Sequence, residues 1–221
     1  MEDEPIGFGM GRIPMWDRRN WMMAPYLDPL AAYPLATYHT VARILNQGSS
    51  PSCVGHGGRH DLEATPVPVP FMVGPDAMTI YNQCQRIDGI PLPHDGTTLQ
   101  ALTRYLQSAG FWSSYVWAGS IEDVIRWVLA KGPVVIGVSW LAGMMTPDSR
   151  AVIRATGGVV GGHCVAVTGY DQVSGYFRIA QSWGTSWGPQ HGKAWLFVQD
   201  LRRLLFEMGG ECAAPLEPGM V

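Results

Sequence analysis

Two stretches carry the helical period. In GTTLQALTRYLQSAG (96–110), Leu99, Leu102 and Leu106 share one face and Gly110 supplies a stop. In SIEDVIRWVLAKGP (120–133), Ser120 and Asp123 make a capping-box start. Ile121, Val124, Ile125, Val128 and Leu129 form the stripe, and Lys131, Gly132 and Pro133 end it. CVGHGGRHDLEA (53–64) also reads as a helix, against three glycines that each cost about 1 kcal/mol relative to alanine in a helix interior. Such a helix needs burial, and its glycines admit close backbone approach. TPVPVP (65–70) ends it.

The period then changes. PVVIGVSW (133–140), GHCVAVTGY (162–170), GYFRIAQSW (175–183) and GKAWLFV (192–198) read as strands, with DQVSG (171–175) as a hairpin turn. Residues 1–38 are rich in Pro, Trp, Met and Tyr without periodicity, and read as an extended arm lying on the body. A helical part followed by a β-rich part predicts an α+β protein of two lobes with a cleft between them. The expected division is an arm over 1–38, a helical lobe over 39–115 and a β-rich lobe over 116–221.

Composition narrows the function. A net charge of −3 and a pI near 6.0 leave no basic footprint for nucleic acid, and no Lys/Arg cluster suits an anionic membrane. The start, MEDEPIGFGMG, reads as neither signal nor transit peptide, so a cytoplasmic, monomeric protein is expected. Four cysteines (Cys53, Cys84, Cys164, Cys212) without short paired spacing predict free thiols rather than disulfides. Cys164 follows His163 on a strand, so its side chain belongs to the opposite face.

Three blocks carry chemistry in order: NQGSSPSC (46–53), GGHCVAV (161–167) and QSWGTSWG (181–188). Each alone has a bland reading as turn, structural histidine or core. Together they supply a thiol, an imidazole and an orienting amide, the parts of a thiol-nucleophile triad. Cys53, His56 and His60 also share one face of the first helix. A metal site there lacks a fourth ligand, and no metal or cofactor is expected.

In these blocks the chain resembles the papain-like cysteine peptidases, over roughly residues 40–205. That family carries Gln-Gly-x-x-x-x-Cys, then Gly-His-small-Val on a strand, then Asn-Ser-Trp-Gly-x-x-Trp-Gly. Glu63 matches a glutamate the family often carries after its cysteine. The resemblance implies a papain-like fold: a helical lobe and an antiparallel, β-barrel-like lobe, with the site between them. It implies Cys53 as nucleophile, His163 as its proton partner and Gln47 as oxyanion donor. Gln181 would orient the histidine, and Trp183 would cover that pair. Gly96 and Gly162 would bind substrate backbone. The implied reaction is hydrolysis of peptide bonds in peptides or proteins through an acyl-enzyme. A catalytically inactive binding module on the same fold is the alternative. Compact chains of this kind resemble those of bacteria and their phages.

The sequence departs from the family pattern at named positions. Gln181 stands where the family has Asn, Ser50 where it has a bridging cysteine, and Val54 where it has Trp. His56 takes a commonly apolar position. The interval from Cys53 to His163 is shorter than the roughly 130–150 residues of papain-type enzymes. The arm is also shorter than the family's usual inhibitory pro-segment.

Overall fold

The computed structural model describes residues 9–17, 20–28, 30–70 and 72–217. The acidic start read from the sequence, residues 1–8, lies outside them. The helices are α1 (Cys53–Leu62), α2 (Ala77–Ile87), α3 (Leu99–Ser108), α4 (Ile121–Ala130) and α5 (Val198–Phe206). The strands are β1 (Arg12–Ile13), β2 (Ala36–Tyr38), β3 (Thr97–Thr98), β4 (Ser114–Trp117) and β5 (Val134–Leu141). They continue with β6 (Val152–Ile153), β7 (Val159–Asp171), β8 (Tyr176–Ala180), β9 (Lys193–Phe197) and β10 (Glu211–Leu216).

Local chemistry sets the helix starts. The Ser120 hydroxyl accepts the Asp123 N–H at 3.2 Å, and the Asp123 carboxylate accepts the Ser120 N–H at 3.0 Å, a full capping box on α4. Thr98 caps α3 by accepting the Ala101 N–H at 3.0 Å. Asp76 caps α2 by accepting the Thr79 N–H at 2.7 Å.

Helix α1 forms despite its glycines because every residue in it is buried. A Cβ on Gly55 would lie 2.2 Å from the Ala77 carbonyl oxygen, and one on Gly57 would lie 2.7 Å from Cys164 Sγ. A Cβ on Gly58 would lie 2.5 Å from a Leu102 methyl. The glycines therefore let α2, β7 and α3 close directly onto α1, and that packing offsets their low propensity. Arg59, fully buried on this helix, is neutralised by Glu63 at 2.8 Å, and Arg43 pairs with the same carboxylate.

The main sheet runs β4-β10-β5-β7-β8-β9-β6, with β2 also paired to β7. Its pairs are antiparallel except β6 with β9. The barrel-like lobe expected from the sequence is corrected here. The end strands β4 and β6 do not pair with each other, so the described strands form an open sheet. The sheet separates two cores, as alternation along β5 makes plain. Val134, Ile136, Val138 and Trp140 join one with α4 and α5, while Val135 joins the other with α1, α2 and α3.

Candidate active site

Helix α1 begins at Cys53. The first-turn N–H groups of a helix have no intrahelical partner and make a positive end, so this thiol sits where negative charge is favoured. Backbone groups of Cys164, Val54 and Arg12 lie against the sulfur and favour its thiolate, yet complete burial dominates and pushes the thiol up to about 12.

The backbone of Cys164, the residue that follows His163 on β7, is one of the groups at the Cys53 sulfur, so the strand that carries the histidine passes the thiol. His163 Nε2 is 2.7 Å from Gln181 Oε1. An amide oxygen only accepts, so Nε2 carries the proton and Nδ1 is the basic nitrogen. Nδ1 is buried and has no hydrogen-bond partner among the described residues. Burial lowers the imidazole to about 4, and the Gln181 bond offsets this in part. Trp183 lies over the ring, with centroids 4.9 Å apart and planes tilted by 33°. Trp140 meets it edge-on at 4.8 Å, a contact that sequence reasoning missed because β5 and β7 come together only in the sheet.

The extra methylene of Gln181 is absorbed locally. Its Oε1 also accepts the N–H of the following Ser182 at 2.8 Å, so the side chain curls back on its own backbone. Gln47 joins the same group. Its N–H donates to the Ser182 carbonyl at 2.8 Å, and its side-chain oxygen accepts the Ser182 hydroxyl. The structure thus gathers Gln47, Cys53, His163, Gln181 and Trp183 from three distant blocks.

The remaining candidates, Gly96 and Gly162, meet the arm. The Gly162 carbonyl accepts the Gly11 N–H at 3.0 Å, and the Gly11 carbonyl accepts the Thr97 N–H at 2.8 Å. β1 of the arm pairs in parallel with β3. A Cβ on Gly162 would lie 2.1 Å from the Arg12 carbonyl oxygen, and one on Gly96 would lie 2.0 Å from that of Gly11. Gly96 has φ +83°, a conformation that favours glycine in any case. The side-chain amide of Gln47 donates to the Gly9 carbonyl at 3.0 Å and to that of Ser50 at 2.8 Å. Residues 9–12 of the arm therefore run over Cys53, in contact with Gln47, Gly96 and Gly162.

The histidines of α1 have other partners. His56 Nδ1 lies 3.0 Å from the Ser52 carbonyl oxygen, and His60 Nε2 accepts the Leu45 N–H at 3.0 Å. Burial lowers His60 to about 3. The described residues contain no group of three His, Cys, Asp or Glu able to hold a metal ion. Cys164 faces α1 at Gly57, across the strand from the His163 ring, while Cys84 and Cys212 are buried free thiols.

Residues 101–198 match the family described as papain family cysteine protease. Cathepsin B of Dictyostelium discoideum is 30% identical over 71 residues, which cover 31% of this chain and 23% of the cathepsin. The match thus spans less than a quarter of that curated relative. Among solved structures, xylellain, a cysteine protease from Xylella fastidiosa, aligns with a TM-score of 0.77 at 18% identity, covering 96% of this chain and 97% of xylellain. Bromelain from Ananas comosus, solved with the E64 inhibitor, aligns at 0.61 and 15% identity, covering 84% of this chain and all of bromelain (100%). The fold is papain-like, α+β, and the resemblance to papain-like cysteine proteases holds in both sequence and structure. No helix among the described residues is long and apolar enough to cross a membrane.

Proposed function

We propose, for a chain that is papain-like in fold and matches the papain family cysteine proteases over residues 101–198, that it is a thiol peptidase whose machinery is Cys53, His163, Gln181 and Gln47. The observation that carries the reading is the peptide already in the groove, whose Gly9 carbonyl rests on the Gln47 amide. A groove that satisfies the backbone of residues 9–12 is suited to an extended peptide substrate.

In the proposed reaction the Cys53 thiol gives its proton to His163 Nδ1, and the sulfur attacks the substrate carbonyl carbon. The Gln47 side-chain amide and the Cys53 N–H hold the oxyanion. His163 returns the proton to the leaving amine, leaving a thioester on Cys53. Water then adds to the thioester, with His163 taking its proton, and a carboxylic acid leaves as the thiol re-forms. Gln181 moves no proton. It fixes the ring so that Nδ1 is the basic nitrogen throughout. Gly96 and Gly162 bind substrate backbone by the contacts they now make with the arm.

The buried thiol and filled groove favour a second reading, an inactive binding module. The two separate in one assay, cleavage of a mixed peptide library by the full chain carrying Arg12→Ala, which loosens the arm. Cleavage that disappears on Cys53→Ser supports the peptidase. An intact, folded Arg12→Ala protein that cleaves nothing and leaves Cys53 unalkylated supports the module.

A further inference from the structure

The end of α1 remote from Cys53 borders a cavity that the proposed reaction does not use. It is enclosed by the last turn of α1 with the proline-rich run after it, by Phe111 and Trp112, by the Gly132–Pro133 corner after α4 and by the end of β10. Its space is about 530 Å³, open mouth included. Asp61 in its wall lies eight residues beyond Cys53, about 12 Å along the helix. A molecule held here does not touch the arm's path over the thiol.

The wall is largely apolar and aromatic, with Leu62, Val69, Phe111, Trp112 and Trp127. Its charged side chains, Asp61 and Glu217, are both acidic, and among the described residues no Lys, Arg or His lines it. The two carboxylates differ. Glu217 Oε1 accepts the Ser113 N–H at 3.2 Å and Oε2 accepts the Ser113 hydroxyl at 2.6 Å. Asp61 is only 5% exposed. The Trp112 indole N–H donates to its carboxyl, yet Oδ1 has no hydrogen-bond partner among the described residues. A buried acceptor left in this state costs free energy. The place adds a second penalty, since the last turn of a helix is its negative end and disfavours a carboxylate. Burial pushes the carboxyl up to about 8; the Trp112 bond works against this, and the Glu217 charge adds to it. One positive charge between the two carboxylates offsets both burial and repulsion, and the faces of Trp112, Trp127 and Phe111 attract a cation as well.

We infer that this cavity is a binding site for a small aromatic amine, whose ammonium group meets Asp61 and whose ring packs against Phe111 and Trp112. An ammonium carries three donors, enough for the open oxygen of Asp61 and for Glu217. A lysine side chain of a partner protein brings the same charge without a ring, and the aromatic wall favours the ring. The inference stands apart from the peptidase reading, and its test needs no cleavage.

The test titrates the full chain at pH 8, by calorimetry, with phenethylamine and with neutral 2-phenylethanol, a probe of nearly the same shape. The amine should bind at least about tenfold tighter than the alcohol. Asp61→Asn keeps the shape of the side chain without the charge, and should erase that preference. A second variant fills the space. A Cβ on Gly132 would lie 3.4 Å from Pro66 Cδ, with no other atom beyond its chain neighbours within 4 Å. Gly132→Leu therefore has the cavity to enter, and both probes should lose affinity. Equal affinity for the two probes, a preference that survives Asp61→Asn, binding unchanged by Gly132→Leu, or no binding of the amine at millimolar concentration overturns the inference. Tighter binding of a short lysine peptide than of phenethylamine also overturns it, and gives the cavity to a protein partner. If Asp61→Asn does not fold, Glu217→Gln carries the charge test from a less buried position. The preference for the amine should then fall, and an unchanged preference overturns the inference.

Discussion

Removing the Arg12 side chain should expose Cys53. In the closed groove the sulfur is 0% exposed and burial holds the thiol near 12. At pH 7.5 such a thiol is ionised to only about 3 parts in 10⁵. Arg12→Ala removes the side chain that anchors residues 9–12, together with both hydrogen bonds to Glu211. If opening restores an ordinary thiol value of about 8.5, the ionised fraction rises to about a tenth, a gain of roughly 10³-fold. A less basic thiolate is also a weaker nucleophile, and a Brønsted slope of about 0.4–0.5 takes back roughly 40-fold. The net gain from ionisation is about 10²-fold, before any gain in access or help from His163. The assay is the rate of iodoacetamide alkylation at pH 7.5, with each cysteine followed by peptide mass mapping. Wild type should label slowly at all four buried thiols, and the variant should label fast at Cys53 alone. Equal Cys53 rates in the two proteins, or earlier labelling of Cys84, Cys164 or Cys212 in a folded variant, would refute the reasoning.

Other outcomes follow from single contacts. Gln181→Ala removes the acceptor for His163 Nε2 and should lower turnover on any cleaved peptide by about 10²-fold or less with little change in melting temperature, whereas Gln181→Asn should have a smaller effect. Full activity of Gln181→Ala would show that another group orients the ring. Gly162→Ala places a methyl where the Arg12 carbonyl now lies; it should free Cys53 for alkylation and also abolish peptide binding, and unchanged alkylation would count against the close fit. Asp61, in the last turn of α1, is buried, and burial pushes its carboxyl up to about 8. A carboxyl raised on folding contributes stability that is complete below its unfolded value near 3.8 and lost as pH rises through about 8. Asp61→Asn should therefore raise the melting temperature by about 2–4 °C or more at pH 8 and by much less at pH 5. A gain independent of pH would mean that the carboxyl is not the source. The histidines act the other way. His163 and His60 are lowered to about 4 and about 3, so the stability they carry is present above pH 6.5 and is lost as pH falls towards 4 and below. A melting temperature flat from pH 7 to pH 4 would contradict the burial of these rings.

Sequence alone determined what depends on neighbours along the chain. The capping box of α4, the stripe of α3 and the turn at 171–175 are short-range, and each stands where its residues place it. The three blocks around Cys53, His163 and Gln181 were legible because their residue types are rarely needed together for packing. Helix α2 carried no such sign in the sequence reading. Its Asp76 cap follows a proline-rich run, and its buried side Ile80, Tyr81 and Cys84 has meaning only against α1. Helix α5 was hidden for a like reason, since Leu201, Leu204 and Leu205 follow directly on strand β9. The tertiary structure alone decided that the sheet stays open, that Trp140 reaches His163, and that Gln181 curls onto Ser182. It alone laid the arm through the groove. The Arg12–Glu211 pair joins residues 199 positions apart, and no periodicity or local spacing encodes it. A charge this far from its partner in sequence reads as a solvated surface residue until folding brings the two into one dry slot, where neither is stable without the other.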